Sequence, residues 1–180
     1  MTDADFCDAF YRHKDVVYRF AYRMTGDESA AEDIVQDCFT ALWRKPEAFD
    51  AGRGSLRAFL LGIARNLALK RWRGRRPQAD VDDETSLCPP FDMTALERSE
   101  AVKKAVLLLP LLQREALILA EYEEMSLEDI SKTTGAELAA VKSRLHRARQ
   151  NLRRMLAPFV QSKVMQSKVT QSKGTLNATK

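Results

Sequence analysis

Apolar residues recur three and four positions apart in segment after segment of this 180-residue chain, and no stretch alternates apolar and polar residues with period two. The 3.6-residue period puts such residues on one side of an α-helix, whereas a strand requires a period of two. Residues 6–24 place Phe6, Phe10, Val17, Phe20, Ala21 and Met24 on one side. Ala31, Ile34, Val35, Cys38, Phe39 and Leu42 form a second stripe, and Leu56, Phe59, Leu60, Ile63 and Leu67 a third. The fold class is therefore all-α, built from short helices that each bury a face.

Chain breakers divide these helices. Gly26 stops the first. Ser29, with Glu32 three residues later, reads as a capping box for the second, and Pro46 ends it. The two glycines of FDAGRGS, 49–55, mark a loop, after which Ser55 opens the third helix. RRPQADVDDETSLCPPFD, 75–92, has three prolines, several aspartates and no periodicity, as a linker does. Thr94 with Glu97 forms another capping box. Helices are expected over 95–109, up to Pro110, over 111–124, from Ser126 to near Gly135, and from about 137 to 157, where Pro158 intervenes. The tail repeats QSK with period five, which suits neither helix nor strand. The expected division is two small helical domains, 1–76 and 94–158, joined by a flexible acidic linker, 77–93, with a disordered tail over 159–180.

Charge is segregated along the chain. Residues 51–76 hold eight basic and no acidic residues, and 142–180 hold ten basic and none acidic. Residues 1–50 are net −5 and 77–100 net −6. Two cationic blocks separated by acidic stretches imply two separate contacts with a polyanion. Cys7, Cys38 and Cys88 form no C-x-x-C pair, and His13 and His146 are the only histidines, so neither a metal site nor a disulfide framework is expected. The acidic, polar start is unlike a signal peptide, and no apolar run approaches the roughly 20 residues that span a bilayer. The expectation is a cytoplasmic protein without membrane insertion.

The segment 126–154 carries the most specific pattern. Ser126 caps a short helix whose Leu127 and Ile130 face inward, Gly135 permits a sharp turn, and a second helix buries Leu138, Val141, Leu145, Ala148 and Leu152. Lys142, Ser143, His146, Arg147 and Arg149 then lie off the buried stripe. This is the form of a helix-turn-helix, whose second helix enters the DNA major groove; there, Arg and Lys reach guanine edges or neutralise phosphates. The third helix of the first domain carries Leu61, Arg65, Leu69 and Trp72 opposite its core stripe. Two accounts stand: a second packing contact, or a surface on which unstacked bases lie, with Phe49 and the Gly52–Gly54 loop at its entry.

These stretches resemble the extracytoplasmic-function (ECF) group of bacterial sigma factors. SAAEDIVQDCFTALWR, 29–44, is similar to the polymerase-binding helix of sigma region 2, and GSLRAFLLGIARNLALKRWRGRR, 54–76, to the part that melts and reads the −10 element. LPLLQREALILAEYEEMSLEDISKTTG followed by VKSRLHRARQNL is similar to sigma region 4. The resemblance implies a non-enzymatic initiation factor that directs core RNA polymerase to promoter DNA, with no cofactor. Asp33, Gln36 and Phe39 would dock on the polymerase β′ clamp, and region 4 on the β flap. Phe49, Arg53, Phe59, Arg65, Asn66, Lys70 and Trp72 would contact the −10 region. Lys142, Ser143, Arg144, His146, Arg147 and Arg149 would contact the −35 element. An anti-sigma factor is implied as a further partner. The chain departs from the family at Ala139-Ala140, where Gly-Thr is frequent, and at Phe59, where Trp is frequent.

Two rival readings remain at this level. A dimeric helix-turn-helix repressor or activator would use Leu61, Leu69 and Trp72 as its interface. A DNA-processing enzyme would need a carboxylate cluster such as Asp27, Glu28, Glu32, Asp33 and Asp37, although most of those residues suit a helix N-terminus or its polar face.

Overall fold

The first helix begins ahead of its apolar stripe. In the computed structural model, which describes residues 2–75 and 98–174 and side chains within 2–74 and 99–157, α1 spans Asp3–Thr25. Thr2 sets its start: the Thr2 hydroxyl accepts from the Asp5 N–H at 3.2 Å, and the Asp5 carboxylate accepts from the Thr2 N–H at 2.8 Å. Gly26 ends α1 in the left-handed region (φ +71°) and returns its N–H to the Tyr22 carbonyl. That reversal leaves Asp27 extended, and its carboxylate accepts from the Ala30 N–H at 3.0 Å. The cap of α2 (Glu28–Arg44) is thus Asp27, not Ser29. A short 3-10 turn, Pro46–Ala48, follows. Ser55 accepts from the Ala58 N–H at 3.2 Å and opens α3, Leu56–Arg75.

The second half starts with α4, Arg98–Leu108; the expected Thr94–Glu97 cap lies outside the described residues. Pro110 separates α4 from α5, Leu111–Leu117. The expected continuous helix to 124 does not form. Ile118–Tyr122 is a π turn, Glu123 donates its N–H to the Ile118 carbonyl, and Glu124 takes a positive φ of 53°. Ser126 then caps α6, Leu127–Thr134, by accepting from the Asp129 N–H at 3.1 Å. Gly135 (φ +69°) makes the turn into α7, Leu138–Gly174. The α7 backbone runs through Pro158 rather than stopping there, and its helix extends to Gly174. A proline removes one ladder hydrogen bond but leaves the turns beyond it free to resume.

Among the described residues all regular structure is helical. One apolar core runs through both halves: Phe20, Ile34 and Leu60 belong to the same cluster as Ile118, Ile130 and Leu145. Helix α3 is the reason. Its intended core residue Leu60 is buried against the first half, yet Leu61 is also 0% exposed and Leu69 is buried. Phe59, Ile63, Leu67 and Trp72 are only half-buried. A Cβ added to Gly62 would sit 3.6 Å from Thr133 Cγ2, so α3 lies close on α6. The two apolar faces of α3 therefore have a plain cause: one packs on α1 and α2, the other on the second half. Of the two accounts of Leu61, Leu69 and Trp72, packing is the one found.

At the other edge of the junction, Arg114 is buried. It donates to the Met24 carbonyl at 2.6 Å, to the Leu109 carbonyl at 3.1 Å and to the Leu107 carbonyl. These carbonyls close the C-terminal ends of α1 and α4, where the helix dipole favours a cation.

A Cβ at Gly26 would meet Leu107 Cδ1 of α4 at 2.8 Å, in a backbone conformation that side chains other than glycine rarely adopt. Gly26→Ala is expected to cost about 2–3 kcal/mol, from left-handed strain plus displacement of Leu107. Urea unfolding of the two chains measures it; a loss below the error of the extrapolation would mean that α1 and α4 are not held this closely.

Candidate nucleic-acid interface

The helix-turn-helix is assembled from its apolar side outward. Val141, Leu145 and Ala148 of α7 are buried, and α7 packs on α4, α5 and α6. Asn151, also buried, donates to the Gln113 side chain at 2.7 Å and fixes α7 against α5. With that stripe closed, Lys142, His146, Arg149 and Arg153 are exposed along one edge, at successive spacings of four, three and four. Ser143, Arg144 and Arg147 flank this edge and are half-buried. His146 lies 3.0 Å from the Gln150 amide nitrogen. Arg149 donates to Glu121 at 2.9 Å from Nε and at 2.5 Å from Nη2. Arg153 extends the edge by one turn; its place at position i+4 from Arg149 was there to be read.

The first half presents a second edge. On α3, Asn66, Lys70 and Arg73 are exposed, again four and three residues apart. This is not the Leu61–Arg65–Leu69–Trp72 face that lies opposite the expected core stripe of the helix. Arg65 points into the junction, where its Nε and Nη2 meet the carboxylate of Glu115. Its Nη1 also donates to Asn66 Oδ1 at 3.1 Å. Trp72 is half-buried. Phe49 and Phe59 stand beside each other with ring centroids 5.6 Å apart and flank the exposed 51–55 loop that carries Arg53. The loop is tightened by Asp50, which accepts the Gly52 N–H at 2.8 Å on its side chain and the Arg53 N–H at 3.0 Å on its carbonyl.

The acidic face of α2 is formed by exposed Glu32, Asp33, Gln36 and Asp37. Phe39, grouped with Asp33 and Gln36 from the resemblance, does not share that face. It is 3% exposed and packs edge-on against Phe6 and Phe10, with centroids 6.3 and 4.9 Å away. A phenyl ring at a helix–helix seam is held by apolar burial and supports the face from behind. Arg71 of α3 reaches across to this face, 3.2 Å from Asp37 Oδ2 and 3.6 Å from Asp33 Oδ2.

Three carboxylates of one short segment, EALILAEYE at 115–123, meet these cationic helices. Glu115 holds Arg65, Glu121 holds Arg149, and Glu123 holds Arg57. The last contact is doubled: Arg57 donates to the Glu123 carboxylate at 2.6 Å and to its carbonyl at 2.9 Å. Arg23 lies 3.8 Å from the same carboxylate and 4.3 Å over the Tyr122 ring. Arg57, Arg71 and these acids were not singled out from sequence, because each pairing joins residues distant in the chain. Burial pushes the Glu115 carboxyl above its ordinary range, while Arg65 pulls it back. Burial also pushes the Cys38 thiol up to about 12, so it stays protonated and unreactive; Cys7 is exposed. Among the described residues, no group of three or more His, Cys, Asp or Glu is arranged to hold a metal, and no helix is long and apolar enough to cross a membrane.

A helix-turn-helix with an exposed cationic edge, joined to a second helical unit with its own, defines the class as a two-module α-helical protein of the DNA-binding type. Residues 9–78 match the model of Sigma-70 region 2, and residues 99–152 that of Sigma-70, region 4. The ECF RNA polymerase sigma factor SigW of Bacillus subtilis is 30% identical over 166 residues, covering 84% of this chain and 88% of SigW. SigE of Mycolicibacterium smegmatis, another ECF RNA polymerase sigma factor, is 35% identical over 154 residues, 81% of this chain and 59% of that one. The fold is similar to that of the sigma factor RpoE solved with the anti-sigma factor NepR from Bartonella quintana (TM-score 0.69, 30% identity, 85% of this chain and 97% of that one). It is also similar to CnrH solved with the cytosolic domain of CnrY (TM-score 0.67, 26% identity, 87% and 90%). The chain belongs to the ECF RNA polymerase sigma factors.

The raised Glu115 carboxyl has a definite sign. Over the window between the ordinary carboxylate value and its raised one, the folded chain holds a proton that the unfolded chain has lost. Its stabilisation is full below the ordinary value and is lost as pH rises through the raised one. Glu115→Gln is expected to flatten the fall in melting temperature as pH rises above the ordinary carboxylate value. Circular dichroism melts across that range measure it; an unchanged slope would place the titration elsewhere.

Proposed function

We propose that this chain is a dissociable specificity subunit of bacterial RNA polymerase, acting in the cytoplasm without catalysing a reaction itself. The observation that carries this reading is the pair of outward cationic edges on two linked helical units, Asn66–Lys70–Arg73 on α3 and Lys142–His146–Arg149–Arg153 on α7. In this reading the division of labour follows the halves: residues 1–76 serve polymerase docking and the −10 element, 77–93 link, and 94–158 serve the −35 element. Lys142 and His146 reach base edges, with Ser143, Arg144, Arg147 and Arg149 completing the −35 contact. Asn66, Lys70 and Arg53 hold the −10 backbone, while Phe49 and Phe59 frame the loop for an extruded base; Arg65 and Trp72 join them once the halves separate.

Asp33 and Gln36 dock on the basic clamp surface of β′, supported by Phe39 beneath, and the second half docks on the β flap. Each unit alone offers few phosphate contacts, so its binding to DNA is weak and salt-sensitive. Polymerase holds the two at a fixed spacing, and the second contact becomes intramolecular. Strand opening is then stabilised by base capture rather than by nucleotide hydrolysis; the sequence has no G-x-x-x-x-G-K-[ST] segment. RpoE and CnrH were each solved with a protein partner, and an anti-sigma factor is the corresponding partner proposed for this chain.

In vitro transcription with purified core polymerase tests the reading: start sites on the source genome are expected only when both components are present. Silence with this chain, while the same core is active with another initiation factor, would overturn it. Lys142→Ala is expected to cost about 1–3 kcal/mol of discrimination at one −35 position, read by competition between promoter variants. An equal loss on every sequence would make Lys142 a phosphate contact. Asp33→Ala is expected to weaken association with core in a pull-down titration without lowering the melting temperature.

A further inference from the structure

A cleft of about 450 Å³ lies between α1, α4 and the π turn, and no residue of the cationic helices α3 and α7 lines it. Its walls are apolar or aromatic: Tyr18 and Tyr22 of α1, Val102, Val106 and Leu107 of α4, and Tyr122 of the π turn. The Tyr18 and Tyr22 rings are nearly parallel, 9° apart in plane with centroids 6.3 Å from each other. Tyr122 is an exposed ring with the Arg23 guanidinium 4.3 Å from its centroid. Arg19 and Lys103 also line the cleft and are exposed, and no acidic residue lines it. Of these three cations, only Arg23 has a carboxylate partner among the described residues, Glu123 at 3.8 Å. Protein interiors pack to crystal-like density, and unfilled space costs stability. Larger side chains at Ser99 and Val102 would close this cleft, yet both are small. The π turn that brings Tyr122 to it is a conformation found often at functional sites.

We propose that the cleft binds a small aromatic acid: a planar body of two or three rings lies between the tyrosines and α4, and its one anionic group meets Arg19 and Lys103. Volume selects the size, since a cavity of about 150 Å³ holds a single benzene. It also disfavours a partner helix. A helix is about 10 Å across and rises about 5.4 Å per turn, so roughly one turn would fill the cleft. Small-molecule sites run from about 300 to 1,000 Å³ and are mostly apolar with a few placed polar groups. Three tyrosine rings favour an aromatic body over an alkyl chain, through offset and edge-to-face contacts. The cations favour an acid, which gains charge-assisted contacts there that a neutral compound does not. None of these residues is assigned above to DNA or to polymerase, so the site does not depend on the sigma reading.

The probe is anilinonaphthalene sulfonate, which has three rings, one sulfonate and a fluorescence that rises in apolar surroundings. Phenylnaphthylamine is the same ring system without the charge. Titrated into the full chain, the sulfonate is expected to saturate a single site and to bind roughly tenfold more tightly than the neutral dye. Arg19→Gln with Lys103→Gln is expected to weaken the sulfonate roughly 5- to 10-fold. A control of equal charge, Lys45→Gln with Lys132→Gln, alters exposed residues outside the cleft and is expected to stay within about twofold of the parent. Val102→Trp fills the cleft and is expected to abolish binding while the chain stays folded; should it unfold the chain, the charge variants still decide. Equal affinity for the two dyes would make the cleft a purely apolar seat, as for a partner's side chain, and overturn the proposal. Equal losses in the two charge variants, or undiminished binding by a folded Val102→Trp chain, would overturn it as well. Decanoate carries the charge without the rings, and its displacement of the dye at equimolar concentration would overturn the aromatic assignment.

Discussion

One guanidinium sits where the two halves of this molecule meet and satisfies groups from both. Arg114 belongs to α5, yet it donates to the Met24 carbonyl at the end of α1 and to the Leu107 and Leu109 carbonyls at the end of α4. The last carbonyls of a helix have no partner within it, and their burial without one carries a desolvation cost. A cation that reaches several of them at once removes this cost and takes advantage of the helix dipoles. It also fixes how close α1 comes to α4, and Gly26 is the residue that permits the approach. Removing the cation would leave these buried carbonyls without a donor, at about 1–3 kcal/mol for each. The junction thus depends on a polar contact at one edge and on apolar burial of α3 at the other.

Helix α3 explains why the two halves share a core. A helix in a small bundle normally buries one stripe and wets the other. Here Leu60, Ala64 and Ala68 are buried, but so are Leu61 and Leu69 on the adjoining side. The remaining exposed edge, Asn66, Lys70 and Arg73, is narrow and entirely polar. Three demands are therefore placed on one helix: packing on α1 and α2, packing on α6, and presentation of a cationic edge. The short spacing between these faces is what brings Arg65 within reach of Glu115.

Much of the architecture was legible because local rules and tertiary packing agree in it. Ser126, Gly135 and the Val141–Leu145–Ala148 stripe specify the helix-turn-helix by capping, left-handed turn and period, and each is found in place. Where two local signals competed, sequence alone chose less well. Asp27 and Ser29 are both good caps, and only the reversal at Gly26 decides for Asp27. The π turn was not legible, since nothing in ILAEY differs from an ordinary helix. The candidate site divides in the same way. Exposure of Lys142 and His146 follows from periodicity, whereas the burial of Phe39 depends on Phe6 and Phe10 arriving from α1. The partners of Arg57, Arg65, Arg71 and Arg149 lie 28 or more residues away in the chain, beyond any rule of local spacing.

The chemistry of the junction bears on what its charges are for. Burying an ion pair removes two groups from water, and their attraction in the protein only roughly offsets that cost; apolar residues of similar size usually serve stability as well or better. The raised carboxyl of Glu115 is the same statement for one of these pairs, since burial there outweighs the pull of Arg65. Stability alone therefore gives little reason to place Arg57 and Arg65 opposite Glu123 and Glu115, particularly with apolar Leu61 and Leu69 already at the junction.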